Sequence, residues 1–136
     1  MSTIIVAGLL LGHSLVHVGY LTPEPAERRG APAWPFHLDR SWVLGRVGLD
    51  RATLRALGTG LVVVAIAGFT LAAIASLGVA PSWLWSIGVA LGAAASLATL
   101  SLYFHPWLVL GIVIDVVLLW SVAIVGWIPD GLGTLP

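Results

Sequence analysis

Apolar residues dominate four long segments of the chain, separated by one polar loop and two short turns. The segments run over residues 3–21, 56–77, 82–104 and 106–128. Each holds about the 20 mostly apolar residues that a helix needs to cross the hydrocarbon core of a bilayer. No segment alternates apolar and polar residues with the period of a membrane β-strand. The pattern predicts an all-α polytopic membrane protein, a bundle of four transmembrane helices forming a single domain over residues 1–136.

The composition favours the same class. Of the 136 residues, 59% are hydrophobic and 9% are charged, whereas a soluble domain carries about 25% charged residues. So few charges exclude an ordinary water-soluble surface, and the high hydrophobicity excludes intrinsic disorder. The net charge is zero, so the chain lacks the basic footprint of a nucleic-acid-binding protein. Without cysteine it has neither disulfides nor thiolate metal ligands.

The charged residues gather in one stretch, which predicts the orientation of the chain. Ten of the twelve lie in the loop over residues 22–55, and all six arginines are among them. The positive-inside rule places such a loop in the cytoplasm. We therefore expect a multi-pass protein of the plasma (inner) membrane with both chain termini outside. The ten residues are Glu24, Glu27, Arg28, Arg29, Asp39, Arg40, Arg46, Asp50, Arg51 and Arg55.

The loop is expected to fold under the bundle. Two sharper alternatives are a cap over a cavity that opens to the cytoplasm and a docking surface for a partner. Asp50 is a suitable N-cap for the second helix. Residues predicted to lie at the membrane interface in the loop are Trp34, Trp42, Arg40 and Arg46. Aromatic belts are predicted from Trp83, Trp85 and Trp127 on the outer side and from Trp34, Trp42, Trp107, Tyr20 and Tyr103 on the inner side.

Small residues recur at helical spacing on two of the segments. Gly8 and Gly12 form a GxxxG pair in the first segment, and Gly88, Gly92 and Ser96 form a longer stripe in the third. Such stripes let helix backbones approach each other closely. Because four spans give each helix neighbours within the chain, we expect both stripes to pack inside the bundle rather than between chains.

Asp115 is the acidic residue that stands alone in the apolar part of the chain. It lies nine residues beyond Pro106, which places it about 13–14 Å along its helix and near the bilayer midplane. A bare carboxylate there costs at least about 2.5 kcal/mol, so it has to be protonated, paired or hydrated. Candidate partners at similar depth or at the inner boundary are His13, His17, Ser96, Thr99 and His105.

His13 and His17 share one helix face because they are four residues apart, and this set allows several interpretations. Hydrogen bonds between helices would make it structural. A proton or small-solute path would run from His105 and His17 to His13 and Asp115. A metal site would use His13, His17 and Asp115 for Zn²⁺ or non-haem iron, although no HExxH motif accompanies them. One histidine could also bind haem.

These alternatives lead to three functional hypotheses. The first is an accessory or structural membrane component that binds another membrane protein. The second is a proton-coupled or small-solute carrier, which would work as a homo-oligomer because one small bundle has little room for a path. The third is a metal-binding membrane protein. No cofactor is predicted, while a metal ion or haem stays open, and the bilayer is the expected surrounding.

The stretches GHSLVHVGYLTP, WPFHLDRSW and HPWLVLGIVID resemble small bacterial membrane proteins with four spans. The resemblance extends over nearly the whole chain. It implies the four-span fold and a bacterial origin, and it carries over no activity and no site residues.

Overall fold

The computed structural model describes residues 2–23 and 34–129 of the chain, and these contain helices and connecting segments without a strand. The helices are α1 (Thr3–Val18), α2 (Arg51–Ser76), α3 (Trp83–Leu102) and α4 (Val109–Ala123), with short 3-10 helices at Gly19–Leu21, Leu44–Val47 and Pro106–Leu108. With their flanking turns, four helices are long and apolar enough to cross a membrane. The predicted all-α four-helix bundle is thereby confirmed.

The helix limits differ most from those predicted at two ends. α2 begins at Arg51 rather than at residue 56, because the apolar pattern marks the length that lipid requires and the helix extends beyond it. α4 ends at Ala123 rather than at 128, and Gly126 then turns the chain with a φ of 63°. Five charged residues of the sequence lie outside the described residues: Glu24, Glu27, Arg28, Arg29 and Asp130.

The early start of α2 is fixed by its cap. One carboxylate oxygen of Asp50 accepts the backbone N–H of Thr53 at 2.9 Å, and the other accepts the Thr53 hydroxyl at 2.9 Å. This confirms the predicted N-cap, which satisfies a donor that the first turn of a helix leaves unpaired. Both hydrogen bonds favour the ionised carboxylate, so they hold the pKa of Asp50 below its ordinary value. The bond from the Thr53 backbone contributes most, and the bond from the Thr53 hydroxyl comes second.

The closest packing in the bundle is between α2 and α3, and glycines make it close. A Cβ on Gly68 would lie 2.6 Å from the backbone nitrogen of Gly92, and one on Gly88 would lie 2.8 Å from the carbonyl oxygen of Gly68. No side chain fits at these positions. The predicted packing of the Gly88–Gly92 stripe inside the bundle is therefore confirmed.

The opposite side of the bundle, between α1 and α4, is open. α1 packs on α2 and α4 packs on α3, while α1 and α4 pack on each other far less. Only 11% of the α4 span is buried inside the protein, against 50% of the α3 span. A Cβ on Gly8 or Gly12 would meet nothing within 4 Å. The prediction that this GxxxG pair packs inside the bundle is wrong, because the pair faces the open side.

The described part of the loop folds against one end of the bundle. The hydroxyl of Ser41 donates to the carbonyl of Leu102 at 2.7 Å, and the indole N–H of Trp42 donates to the carbonyl of Ser101 at 2.7 Å. These bonds satisfy carbonyls that the end of α3 leaves without helical partners. The residues predicted at the interface stay accessible here: Trp42 and Arg46 are exposed, Arg40 is exposed beside Asp39, and Trp34 is half-buried against Phe36.

Three of the predicted belt assignments are wrong, because Tyr20, Trp85 and Tyr103 are all buried. Trp85 is fully buried, and its indole N–H donates to the carbonyl of Trp127 at 3.3 Å, so it belongs to the core. Tyr103 is also buried, and its hydroxyl donates to the carbonyl of Leu54 at the start of α2 at 2.5 Å. Both have a polar group that finds a backbone partner, which allows an amphipathic ring to lie inside a bundle.

Candidate functional site

Four buried side chains from three helices form one hydrogen-bonded network. Nε2 of His13 lies 2.9 Å from Oδ1 of Asp115, and the Ser96 hydroxyl donates a short bond to Oδ2 of the same carboxylate. Nε2 of His17 lies 2.8 Å from the Ser96 oxygen. The network therefore joins the two histidines of α1 through Asp115 of α4 and Ser96 of α3. His17, Ser96 and Asp115 are fully buried.

Local packing explains how the network assembles. The spacing of His13 and His17 puts both rings on one face of α1, where Phe69 of α2 packs against them with ring centroids 4.9 and 6.2 Å away. On α4, Gly111 lies one turn before Asp115. A Cβ on Gly111 would come within 2.8 Å of the Leu100 side chain and 3.7 Å of the His13 ring, so this glycine lets α4 approach α3 at Leu100, beside the histidine.

The hydrogen bonds fix where the protons of the His17 half lie. Ser96 gives its single proton to Asp115, so its oxygen accepts from His17, and the proton of that ring is on Nε2. Nδ1 of His17 is buried without a hydrogen-bond partner, as is the hydroxyl of Tyr20. The Tyr20 and His17 rings stack with centroids 6.2 Å apart. The network thus ends towards the loop in a bare acceptor nitrogen.

The charge of Asp115 needs a counter-charge close by, since an unpaired carboxylate is costly at this depth. Nε2 of His13 is the histidine nitrogen in direct contact with that carboxylate. The side chain that α2 packs against the His13 ring is Phe69, which is apolar and supplies no charge. The arrangement is therefore a histidine–carboxylate pair, joined through the Ser96 hydroxyl to a second histidine.

Two of the predicted site residues lie apart from the network. The hydroxyl of Thr99 donates to the carbonyl of Ala95 in its own helix at 2.8 Å. His105 lies at the end of the bundle, where its Nδ1 accepts the backbone N–H of Trp107 at 3.3 Å. The structure does not join His105 to the network, because this side chain caps the turn that begins α4.

The predicted metal ligands do not converge. Within residues 2–23 and 34–129, no group of three His, Cys, Asp or Glu side chains is arranged to hold a metal ion. Nε2 of His17 is turned to Ser96 instead of to Asp115. Both histidines have Nε2 engaged within the network, so the geometry favours neither the metal nor the haem alternative.

A groove lies beside the network on the open side of the bundle. It lies between α1 and α4 and has a volume of about 610 Å³. Its lining consists almost entirely of apolar side chains. Gly8 and Gly12 lie along α1 in this groove, Val113 and Val117 along α4, and Trp127 at one end. His13 also lines it. The network therefore contacts the groove at His13 and the loop side of the bundle at His17.

Sequence reasoning missed Gly111 and the role of Tyr20. Gly111 is a single glycine in an apolar segment, which gives no motif to recognise. Tyr20 was assigned to an interfacial belt. The chain matches no protein-family model, no curated protein and no solved structure. The function has to be argued from the site itself.

Proposed function

We propose that this protein is a membrane component that takes up and releases a proton through the buried network. The observation that carries the proposal is the unbroken hydrogen-bonded chain from His17 through Ser96 and Asp115 to His13. Ionisable side chains inside a membrane bundle are costly and mark functional sites by default. Helix packing alone would be served by uncharged hydroxyl groups.

The proton can move in steps that conserve every atom, starting from a carboxylate on Asp115 and a proton on each nitrogen of His13. A proton that binds Nδ1 of His17 releases the proton on Nε2 to the Ser96 oxygen, and Ser96 passes its own proton to Asp115. His17 is then neutral again, with its proton on Nδ1, and Asp115 is a carboxylic acid. The extra positive charge leaves when His13 gives up its Nδ1 proton on the groove side. A chain of hydrogen bonds supports such a relay.

Proton flux into vesicles tests the proposal. The purified protein is reconstituted in liposomes that contain a pH-sensitive dye, and an imposed pH gradient is followed. We expect faster equilibration than in protein-free vesicles. In Asp115→Asn the rate should fall by about tenfold or more, since the neutral isostere keeps the shape but cannot accept the proton.

The matched control is His105→Gln, which removes an imidazole outside the network and should keep the wild-type rate. The proposal fails if the wild-type protein equilibrates no faster than empty vesicles. It also fails if Asp115→Asn, with its helical content intact, equilibrates as fast as the wild type.

A second candidate function is an accessory or structural role, in which the network is a lock. One observation favours it: α1 and α4 pack little on each other, yet His13 of α1 bonds Asp115 of α4 at 2.9 Å. In that case Asp115→Asn changes no flux and only lowers stability slightly. The partner would be another membrane protein or a second copy of this chain.

We further propose the plasma (inner) membrane as the location, with the arginine-bearing loop in the cytoplasm and both termini outside, on the strength of the positive-inside rule. The natural absence of cysteine makes labelling direct. In intact cells a membrane-impermeant maleimide should label Val79→Cys, in the exposed turn between α2 and α3, and should not label Arg46→Cys, in the loop. The reverse labelling pattern would invert the topology.

A further inference from the structure

The groove between α1 and α4 has the size and lining of a ligand site. Its volume of about 610 Å³ lies within the roughly 300–1,000 Å³ range of small-molecule pockets. Such pockets are mostly apolar with a few polar groups that fix orientation. The groove opens to the side of the bundle that lipid surrounds, so its ligand would enter from the membrane.

His13 supplies the polar group. It is 9% exposed and lines the groove, while its Nε2 is held by Asp115. Among the described residues Nδ1 of His13 has no hydrogen-bond partner. In the doubly protonated form of His13 from which the proposed proton relay starts, Nδ1 carries a proton that needs an acceptor. Leaving such a donor unpaired away from water is costly.

Two other polar groups on the groove wall are already used. The Ser121 hydroxyl donates to the carbonyl of Leu118 in its own helix at 2.8 Å, and the Trp85 indole donates to the carbonyl of Trp127. Apart from the indole of Trp127 at one end of the groove, a ligand would therefore be recognised at His13 through an acceptor atom, and elsewhere through its apolar surface.

We propose that this groove binds a lipophilic molecule whose carbonyl oxygen accepts a hydrogen bond from His13, the chemistry of a membrane-soluble quinone. A plain acyl chain has no acceptor to offer at that point. A second copy of the chain, docked by its own α1 and α4, would present mainly aliphatic side chains such as Leu9, Leu110 and Val117. Both would leave the His13 donor unpaired.

Gly12 provides a way to close the groove without disturbing the bundle. Gly12 lines the groove, and a Cβ there would meet nothing within 4 Å, so Gly12→Leu fills groove space alone. Gly60 on α2 is equally open but lies outside the groove lining. Gly60→Leu is therefore the matched control, and Gly8→Leu repeats the groove test should Gly12→Leu express poorly.

The experiment measures binding of a decyl-substituted benzoquinone to the purified protein in detergent, by tryptophan fluorescence and by the ¹⁵N resonance of His13 Nδ1. The comparison probe is decylbenzene, which lacks the carbonyls. We expect the quinone to bind and to shift the His13 signal. Decylbenzene should bind about tenfold more weakly, the loss expected for one hydrogen bond to a charged donor.

Gly12→Leu should weaken quinone binding by about tenfold or more, whereas Gly60→Leu should match the wild type. Equal binding of the two probes would identify an unspecific lipid slot and overturn the proposal, as would full binding by Gly12→Leu and Gly8→Leu. A dimer that Gly12→Leu dissociates, without quinone binding, would show that a second copy occupies the groove. Binding needs no proton flux, so failure here is distinguishable from failure of the proton proposal.

Discussion

Two helix pairs in this bundle are held together in different ways. α2 and α3 meet backbone to backbone, with a Cβ on Gly68 only 2.6 Å from the nitrogen of Gly92. α1 and α4 stay apart and are joined through the side chains of His13 and Asp115. In lipid, where apolar surfaces gain little by meeting each other, close packing and polar bonds are the two available forms of cohesion. In this molecule close packing holds α2 to α3, and a polar bond holds α1 to α4.

The difference has a functional consequence. A close glycine contact leaves no space between helices, so the α2–α3 pair is a rigid scaffold. Helices joined by a polar bridge leave a groove beside it, and the bridge itself consists of ionisable side chains. The open pair therefore holds both proposed activities, while the closed pair positions Phe69 behind the two histidines.

The largest expected effect comes from separating the closed pair. Gly68→Leu places a side chain where even a Cβ overlaps the backbone of α3, and we expect a loss of about 3 kcal/mol in the free energy of unfolding. Unfolding in mixed detergent micelles measures it. Gly60→Leu on the same helix has open space and should unfold like the wild type. Equal stability of the two variants would contradict the glycine-dependent contact.

The next effect comes from breaking the polar bridge. Asp115→Ala removes the bonds to His13 and Ser96, and we expect a loss of about 1–2 kcal/mol, since polar contacts in membrane bundles are individually modest. The same unfolding assay applies. Ser121→Ala, which removes a bond within α4 only, should lose less. A loss at Asp115 no greater than at Ser121 would argue against the bridge.

A smaller effect tests the polar contact that the closed pair does have. Tyr103→Phe removes the bond from its hydroxyl to the Leu54 carbonyl, and we expect a loss of about 1 kcal/mol. Tyr20→Phe is the matched control, because the buried Tyr20 hydroxyl has no partner, and it should cost little. Similar losses for both tyrosines would show that the bond to Leu54 contributes nothing.

The Tyr103 contact also has a predicted pH dependence. Burial raises the pKa of Tyr103 above its ordinary value of 10.0, and a hydrogen bond from the backbone of Gly58 opposes this only in part. As the pH rises above 10, the phenol thus stays neutral in the folded protein while it ionises in the unfolded chain. Its contribution is constant below pH 10 and is lost as the pH rises further. Unfolding at pH 8 and pH 11 should show a fall in the wild type that is smaller in Tyr103→Phe.

The sequence predicts the fold well because the requirement is coarse. Helix number and approximate position follow from apolar length alone, and the cap at Asp50 follows from its residue type and position. The partnership of His13 with Asp115 follows from matched depth, since both lie near the middle of their spans. Rotation of each helix about its axis is set by packing, which apolar periodicity does not encode when every face is apolar.

That missing rotation explains what sequence reasoning could not supply. His17 was expected beside Asp115 and instead bonds Ser96. Thr99, three residues along α3 from Ser96, is turned to its own helix. His105 lies at the end of the bundle, as its place beside Pro106 predicts, and its ring bonds the backbone of Trp107 rather than the network. Each difference is a question of direction around or along a helix, and none is a question of chemistry.

The smallest expected effect separates the two glycine motifs most sharply, because its sign is opposite for each. Gly12→Ala meets open space, so the gain in helix propensity should stabilise the protein by about 0.5–1 kcal/mol. Gly92→Ala gains the same propensity but places a methyl group 2.9 Å from the Phe69 nitrogen, so it should destabilise. Destabilisation by Gly12→Ala as well would mean that something packs against α1 in the membrane, because propensity alone cannot reverse the sign.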